Sequence, residues 1–158
     1  MKKDIRAFKV FAIADGTVID HIPAGLALKI INLLNLAKYK KVVTVGLNFT
    51  SKKIGTKDIV KVENRELVEE EANLLAIFAP QASVNIIKNY EVVKKFKLSL
   101  PDKVKNLLVC PNPKCITNHE SMSSCFSVQQ NDSQVKLKCD YCERTFLQED
   151  IKEYNIKN

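Results

Sequence analysis

The sequence predicts an α+β protein in which an N-terminal α/β sandwich is followed by a small all-β domain. Short β-branched runs alternate with two helical patterns before residue 100. All five cysteines come after residue 100. The net charge also differs between the two parts. Residues 1–100 contain 17 Lys and Arg and 10 Asp and Glu, whereas residues 101–158 contain 8 Lys and Arg and 8 Asp and Glu. We therefore expect two domains, 1–100 and 101–158, that meet near "KLSLPDKVKN".

The first domain has six elements in order. "FKVFAIADG" is a strand-like run that stops at Asp15-Gly16, and "GTVIDHI" continues as a short extended segment. "PAGLALKIINLLNL" has helical spacing, with Pro23 acceptable in its first turn. "KVVTVGLNF" and "KDIVKVEN" predict strands, "LVEEEANLLAIFA" predicts a helix that ends before Pro80, and "ASVNIIKNYEVVKKFKLSL" supplies one or two final strands. The order β-α-β-β-α-β indicates a ferredoxin-like sandwich with both helices on one face of the sheet.

The second domain is marked by the cysteine spacing C-x4-C-x23-C-x2-C, which comprises Cys110, Cys115, Cys139 and Cys142. Two tight turns can direct four thiolates into a tetrahedron around Zn²⁺. "SCFSVQQ" and "SQVKLKC", separated by "NDS", predict a β-hairpin that brings the turns together. We therefore predict a small all-β, zinc-ribbon-like domain with one structural Zn²⁺ per chain. Reduced buried cysteines and an iron–sulfur site are the alternatives.

Other functional classes receive less support. Cys125 is expected to be a buried thiol, and no nucleophile–base pair is visible around His21 or His119, so we expect no enzymatic activity. A nucleic-acid-binding zinc ribbon would suit the pI near 9.1. However, the excess charge lies outside the cysteine domain, and aromatic residues are only 7%. No run resembles a membrane span or a signal peptide, so we expect no membrane contact and a cytoplasmic location.

Polar residues that interrupt the apolar runs are the candidates for binding. Asp20 and His21 end an extended segment, and Lys57 and Lys61 face one side of an alternating strand. Two amines can neutralise phosphates, and an aspartate can accept a hydrogen bond from a ribose hydroxyl. Taken singly, lysines in this pattern are more often part of a solvated strand face, and a histidine in the position of His21 is more often a hydrogen-bonded residue at a helix start. From the residues alone, we predict an anion-binding module.

Five motifs follow one another along the chain: "GTVIDHIPAG", "VGLN" before "GTKDIVKVEN", "FAPQASVNIIKNYEVV", "SLPDKVKNLLVCPNPKCI" and "LKCDYCE". In this order they resemble the regulatory chain of aspartate carbamoyltransferase over nearly the whole sequence. The resemblance implies an allosteric domain that binds nucleoside triphosphates and forms a homodimer, followed by a zinc domain that docks on the catalytic chain. It also implies that CTP inhibits and ATP activates pyrimidine biosynthesis by competing for one site.

The resemblance further implies which residues bind the nucleotide. The lysines would hold the phosphates, the aspartate the ribose, and the backbone near Ile13, Ile87 and Tyr90 the base. Phe11 and Lys94 depart from the family pattern, whereas the four zinc ligands match it. The complete predicted nucleotide site is Ala12, Ile13, Asp20, His21, Lys57, Lys61, Asn85, Ile87, Tyr90, Val92 and Lys95.

Overall fold

The computed structural model describes residues 11–132 and 134–154, which form two antiparallel sheets. Within residues 11–100, the structure contains two α-helices, α1 (Ala27–Leu33) and α2 (Glu69–Phe78). Its sheet has five strands, β1 (Gly16–Pro23), β2 (Val43–Ser51), β3 (Gly55–Glu63), β4 (Ser83–Lys88) and β5 (Glu91–Phe96). The second sheet has four strands, β6 (Lys103–Lys105), β7 (Cys125–Asn131), β8 (Gln134–Cys139) and β9 (Thr145–Leu147).

The first sheet has the strand order β2-β3-β1-β4-β5. Its first four strands with α1 and α2 make the predicted β-α-β-β-α-β sandwich, and β5 adds one strand at the edge next to β4. Ile30 of α1 and Leu75 of α2 join Ile19, Val60 and Val84 in one buried cluster. Both helices therefore cover the same face of the sheet. The predicted fold class is confirmed.

The start of the first strand differs from the prediction. Residues 11–15 are irregular and β1 begins at Gly16, while residues 8–10 lie outside the described part of the chain. The irregular segment runs beside the β4–β5 turn, where the Ala14 carbonyl accepts from the Tyr90 N–H at 2.9 Å. The start of β1 requires a glycine, because a Cβ at Gly16 would lie only 2.0 Å from the Val62 carbonyl oxygen.

The first helix also starts later than predicted, since Pro23 ends β1 and α1 begins at Ala27. Gly25 has a φ of 93°, which interrupts helical geometry before that point. The fully buried carboxylate of Asp58 accepts hydrogen bonds from the N–H groups of Gly25 at 2.9 Å and Ala27 at 3.3 Å. These contacts satisfy N–H groups that a helix start leaves without an internal partner.

The second sheet packs around Phe126, Leu137 and Ile151, all fully buried. Its β7–β8 hairpin confirms the strand pair predicted on either side of "NDS". Ile77 and Phe78, at the end of α2, belong to the same buried cluster as this sheet. The end of α2 therefore packs against the second sheet. No helix within the described residues is long and apolar enough to cross a membrane.

Candidate functional site

The four cysteine sulfurs form one cluster beside the second sheet, with Cys139 at the end of β8 and the other three in the adjoining turns. All four Sγ atoms lie within 4.8 Å of one another. The Cys110–Cys142 and Cys115–Cys139 sulfur pairs are each 3.8 Å apart. Four sulfurs held about 2.3 Å from a central ion at the corners of a tetrahedron are about 3.8 Å apart. The cluster therefore fits a structural metal bound by four thiolates.

The surroundings of the sulfurs also fit a cation. Burial raises the pKa of Cys110 and of Cys139. Burial acts in the same direction on Cys142, but hydrogen bonds with the Arg144 N–H, the Asn112 side chain and the other cysteines Cys110 and Cys139 together outweigh it and lower the pKa of Cys142 to about 7. A bound cation would favour the thiolate form at all four positions. The N–H donors around the sulfurs would then orient and stabilise these ligands.

Two residues near the cluster lie outside it. The Nε2 atom of His119 is 2.7 Å from the Pro113 carbonyl oxygen. The prediction that Cys125 is a buried thiol is wrong, because this residue is partly exposed and its Sγ donates to Asp140 at 3.1 Å. Phe126 takes the inward position on β7, so the alternation of the strand turns Cys125 outward.

Polar residues form a row on the face of the first sheet opposite the helices. Lys61 on β3 pairs with Val18 on β1, Val18 with Asn85 on β4, and Asn85 with Lys95 on β5. Residues directly opposite in antiparallel strands share a face, so the three polar side chains lie together. Val18 was absent from the predicted set, although its spacing of two from Asp20 places both on one face.

Asp20 and Lys57 lie on the same face, further along β1 and β3, and form an ion pair; we include both residues in this polar row. Lys57 Nζ is 2.8 Å from Asp20 Oδ1, which also accepts from the His21 N–H at 2.6 Å. His21 has a φ of 56° within an irregularity of β1, and its Nδ1 is 3.6 Å from Asp20 Oδ2. Burial raises the pKa of Asp20, but Lys57 and His21 together outweigh it, so the pKa lies below its ordinary value. The carboxylate is therefore charged near neutral pH.

Lys61 is held by the irregular segment that precedes β1. Its Nζ donates to the Phe11 carbonyl oxygen at 2.8 Å. Burial lowers the pKa of Lys61, and the nearby Asp20 carboxylate opposes that change. Both predicted phosphate-binding lysines thus have an internal partner, a carboxylate for Lys57 and a neutral carbonyl for Lys61. An incoming anion would compete with these contacts for the N–H donors of the two amines.

The other predicted residues gather near the β4–β5 turn. Ile13 and Ile87 are buried, and Val92 is exposed opposite Ile87. Asn89 and Tyr90 form a two-residue turn with φ of 49° and 65°, typical of a tight hairpin. Ala12 and Ile13 precede β1, so their placement on the first strand was wrong. Since Gly16 pairs with Ile87 and Asp20 with Ser83, this apolar group lies about 13 Å along the strands from Asp20.

Comparison with known families covers both parts of the chain. The family model described as "Aspartate carbamoyltransferase regulatory chain, allosteric domain" matches residues 8–99, and "Aspartate carbamoyltransferase regulatory chain, metal binding domain" matches residues 102–152. Three relatives are each named "Aspartate carbamoyltransferase regulatory chain". The relative from Chromobacterium violaceum is 51% identical over 144 residues, which cover 91% of this chain and 95% of the relative. The relative from Pyrococcus abyssi is 52% identical over 145 residues, which cover 90% of this chain and 95% of the relative. The relative from Vibrio campbellii is 48% identical over 145 residues, which cover 92% of this chain and 95% of the relative. These matches confirm the resemblance inferred from the motifs, and they describe regulatory chains rather than enzymes.

Proposed function

Because the chain belongs to the aspartate carbamoyltransferase regulatory chain family, with an allosteric and a metal-binding domain, we propose that it controls the catalytic chain of that enzyme in response to nucleotides. Residues 1–100 bind CTP as an inhibitor and ATP as an activator at one site. Residues 101–158 hold one structural Zn²⁺ and contact the catalytic chain. The chain would act in the cytoplasm, in pyrimidine biosynthesis, without chemistry of its own.

The polar row on the open face of the first sheet carries the nucleotide proposal. It supplies amines at Lys57, Lys61 and Lys95 for phosphates, and a charged carboxylate at Asp20 for ribose hydroxyls. The apolar group around Ile87 lies far enough from Asp20 to receive a base at the other end. A nucleoside triphosphate carries the same three kinds of group, an apolar base, ribose hydroxyls and anionic phosphates.

The four-thiolate cluster supports zinc as the metal of the second domain. Tetrahedral thiolate sites select Zn²⁺ or iron–sulfur centres. With Cys110, Cys115, Cys139 and Cys142 as ligands, a single Zn²⁺ has no open position. The ion would tie the two cysteine turns together and stabilise a small domain, and it would not bind substrate.

An exposed edge of the first sheet supports the homodimer. β2 lies at one edge of the sheet, and Val45 and Leu47 on it are 38% and 49% exposed. An apolar edge strand tends to pair with another chain, and a second copy is the simplest partner. We therefore place the homodimer contact in the first domain.

The experiment that tests this function is a pair of calorimetric titrations of CTP into the assembled enzyme, with and without a bisubstrate analogue at the catalytic site. A nucleotide can shift the assembly only if it binds two arrangements unequally, and the coupling must be reciprocal. Typical couplings change affinity about 5- to 150-fold. If CTP alters aspartate affinity but its own affinity is equal in both titrations, the single-site coupling model is wrong.

A further inference from the structure

The two parts of the chain are joined by the side chain of Lys29, on α1. Lys29 Nζ donates to the Gln148 carbonyl oxygen at 2.9 Å. The same amine lies 4.6 Å from the centroid of the Phe78 ring, a favourable cation–π distance. Among residues 11–132 and 134–154, no other side-chain hydrogen bond or ion pair connects residues before Pro101 with residues after it. The contacts of Ile77 and Phe78 with the second sheet are apolar packing, which is less directional.

On the side of the second domain, Gln148 connects to the cysteine cluster. It opens the 3₁₀ turn Gln148–Asp150, and its carbonyl also accepts from the Ile151 N–H at 3.3 Å. Ile151 is fully buried in the same apolar cluster as three of the cysteines. Two residues later, the Glu153 carbonyl accepts from the Val109 N–H at 3.1 Å, directly before Cys110. Gln148 is therefore five residues from Glu153, the residue that is hydrogen-bonded to the start of the first cysteine turn.

On the side of the first domain, α1 connects to the proposed nucleotide site. The start of α1 is held by the buried Asp58 carboxylate through Gly25 and Ala27. Asp58 is the residue after Lys57, whose amine pairs with Asp20 at 2.8 Å. Consecutive strand residues face opposite sides, so Lys57 faces the polar row and Asp58 faces the helices. One peptide group therefore separates Lys57, which would bind a phosphate, from the residue that holds the start of α1.

We propose that Lys29 is the positioning residue that transmits nucleotide occupancy from α1 to the second domain, through its hydrogen bond to the Gln148 carbonyl. This inference rests on the proposed function, and Lys29 itself does not touch the nucleotide. Burial lowers the pKa of Lys29, so its amine is partly removed from water. An amine in that environment is costly to leave without an acceptor, so a shift of α1 either carries Gln148 along or breaks the contact.

The test is Lys29→Met in the assembled enzyme, with Lys38→Met as the matched control, since Lys38 is an exposed lysine just after α1. We measure the ratio of aspartate affinities without and with CTP. Wild type and Lys38→Met should show the same ratio, within the 5- to 150-fold range typical of coupled sites, whereas Lys29→Met should approach a ratio of about one. Lys29→Arg should restore the ratio in large part, because a guanidinium can donate to the same carbonyl.

Binding measurements separate this inference from the proposed function. The CTP affinity and the zinc content of the free Lys29→Met chain should stay within about twofold of wild type. Lys29 touches neither the proposed nucleotide site nor the cysteines, and a substitution away from such features usually changes the free energy by less than about 0.5 kcal/mol. A wild-type chain that fails to bind CTP would overturn the proposed function instead. A wild-type ratio in Lys29→Met overturns the transmission by Lys29.

A second measurement needs no variant. The Ile151 N–H shares its acceptor, the Gln148 carbonyl, with Lys29. Addition of CTP to the wild-type free chain should therefore change the amide exchange rate of Ile151. An unchanged rate at saturating CTP also overturns the proposal, even if Lys29→Met does not assemble.

Discussion

The two lysines of the polar row should contribute unequally to nucleotide binding, because they give up different partners. A phosphate competes for Lys57 with the Asp20 carboxylate at 2.8 Å, and it competes for Lys61 with the neutral Phe11 carbonyl at 2.8 Å. A charged contact to phosphate is worth about 3 kcal/mol at its upper range. Subtracting about 2 kcal/mol for a lost carboxylate contact and about 1 kcal/mol for a lost carbonyl contact leaves net gains of about 1 and about 2 kcal/mol. Lys57→Ala should then weaken CTP and ATP about fivefold, and Lys61→Ala about 30-fold.

Calorimetric titration of CTP and ATP into the free chain measures this difference. Lys38→Ala is the matched control, because this exposed lysine belongs to the helical layer on the other side of the sheet. Salt should be fixed and low, since phosphate contacts are screened. Cytidine lacks phosphates, so both lysine variants should bind it as wild type does. Equal losses for Lys57→Ala and Lys61→Ala, or an equal loss for cytidine, would refute the reasoning from exchanged partners.

The remaining predictions concern the metal, the dimer and acid stability. Metal analysis should find about one zinc per chain. Cys139→Ser should unfold the second domain and abolish docking on the catalytic chain, while nucleotide binding survives. Cys125→Ala should keep the zinc, and loss of zinc from this variant would contradict the four-thiolate set. Val45→Lys on β2 should convert a dimer into a monomer in sedimentation, whereas an intact dimer would place the contact elsewhere. Because the pKa of Asp20 is below its ordinary value, its stabilisation is present above about pH 4 and is lost as pH falls further. Asp20→Asn should therefore flatten the acid limb of urea-unfolding free energies, and parallel profiles for the two proteins would argue against that ion pair.

The cysteine cluster could be predicted from sequence because its geometry is largely local. Each pair of thiols is placed by its own short turn, and the β7–β8 hairpin then brings the two turns together. Asp58 shows the opposite situation. In "KDIVKVEN" it resembles a solvated charge, yet its carboxylate is fully buried and accepts from Gly25, Ala27 and Asn48. These three donors lie 10 to 33 residues away, so only the assembled fold reveals that this acid holds the start of α1.

In the polar row, likewise, the sequence predicts which face of the sheet the side chains occupy, but it does not predict which partners they contact. A period of two places Lys57 and Lys61 on one face, which the sequence predicts. The partner of Lys57 depends on an irregularity in β1, where Asp20 and His21 together stand opposite one residue of β3. That extra residue, with a φ of 56° at His21, brings the Asp20 carboxylate to Lys57. A phosphate that binds Lys57 therefore acts on the residue next to Asp58, which holds the start of α1. Nucleotides that do not engage Lys57 should consequently bind without changing aspartate affinity.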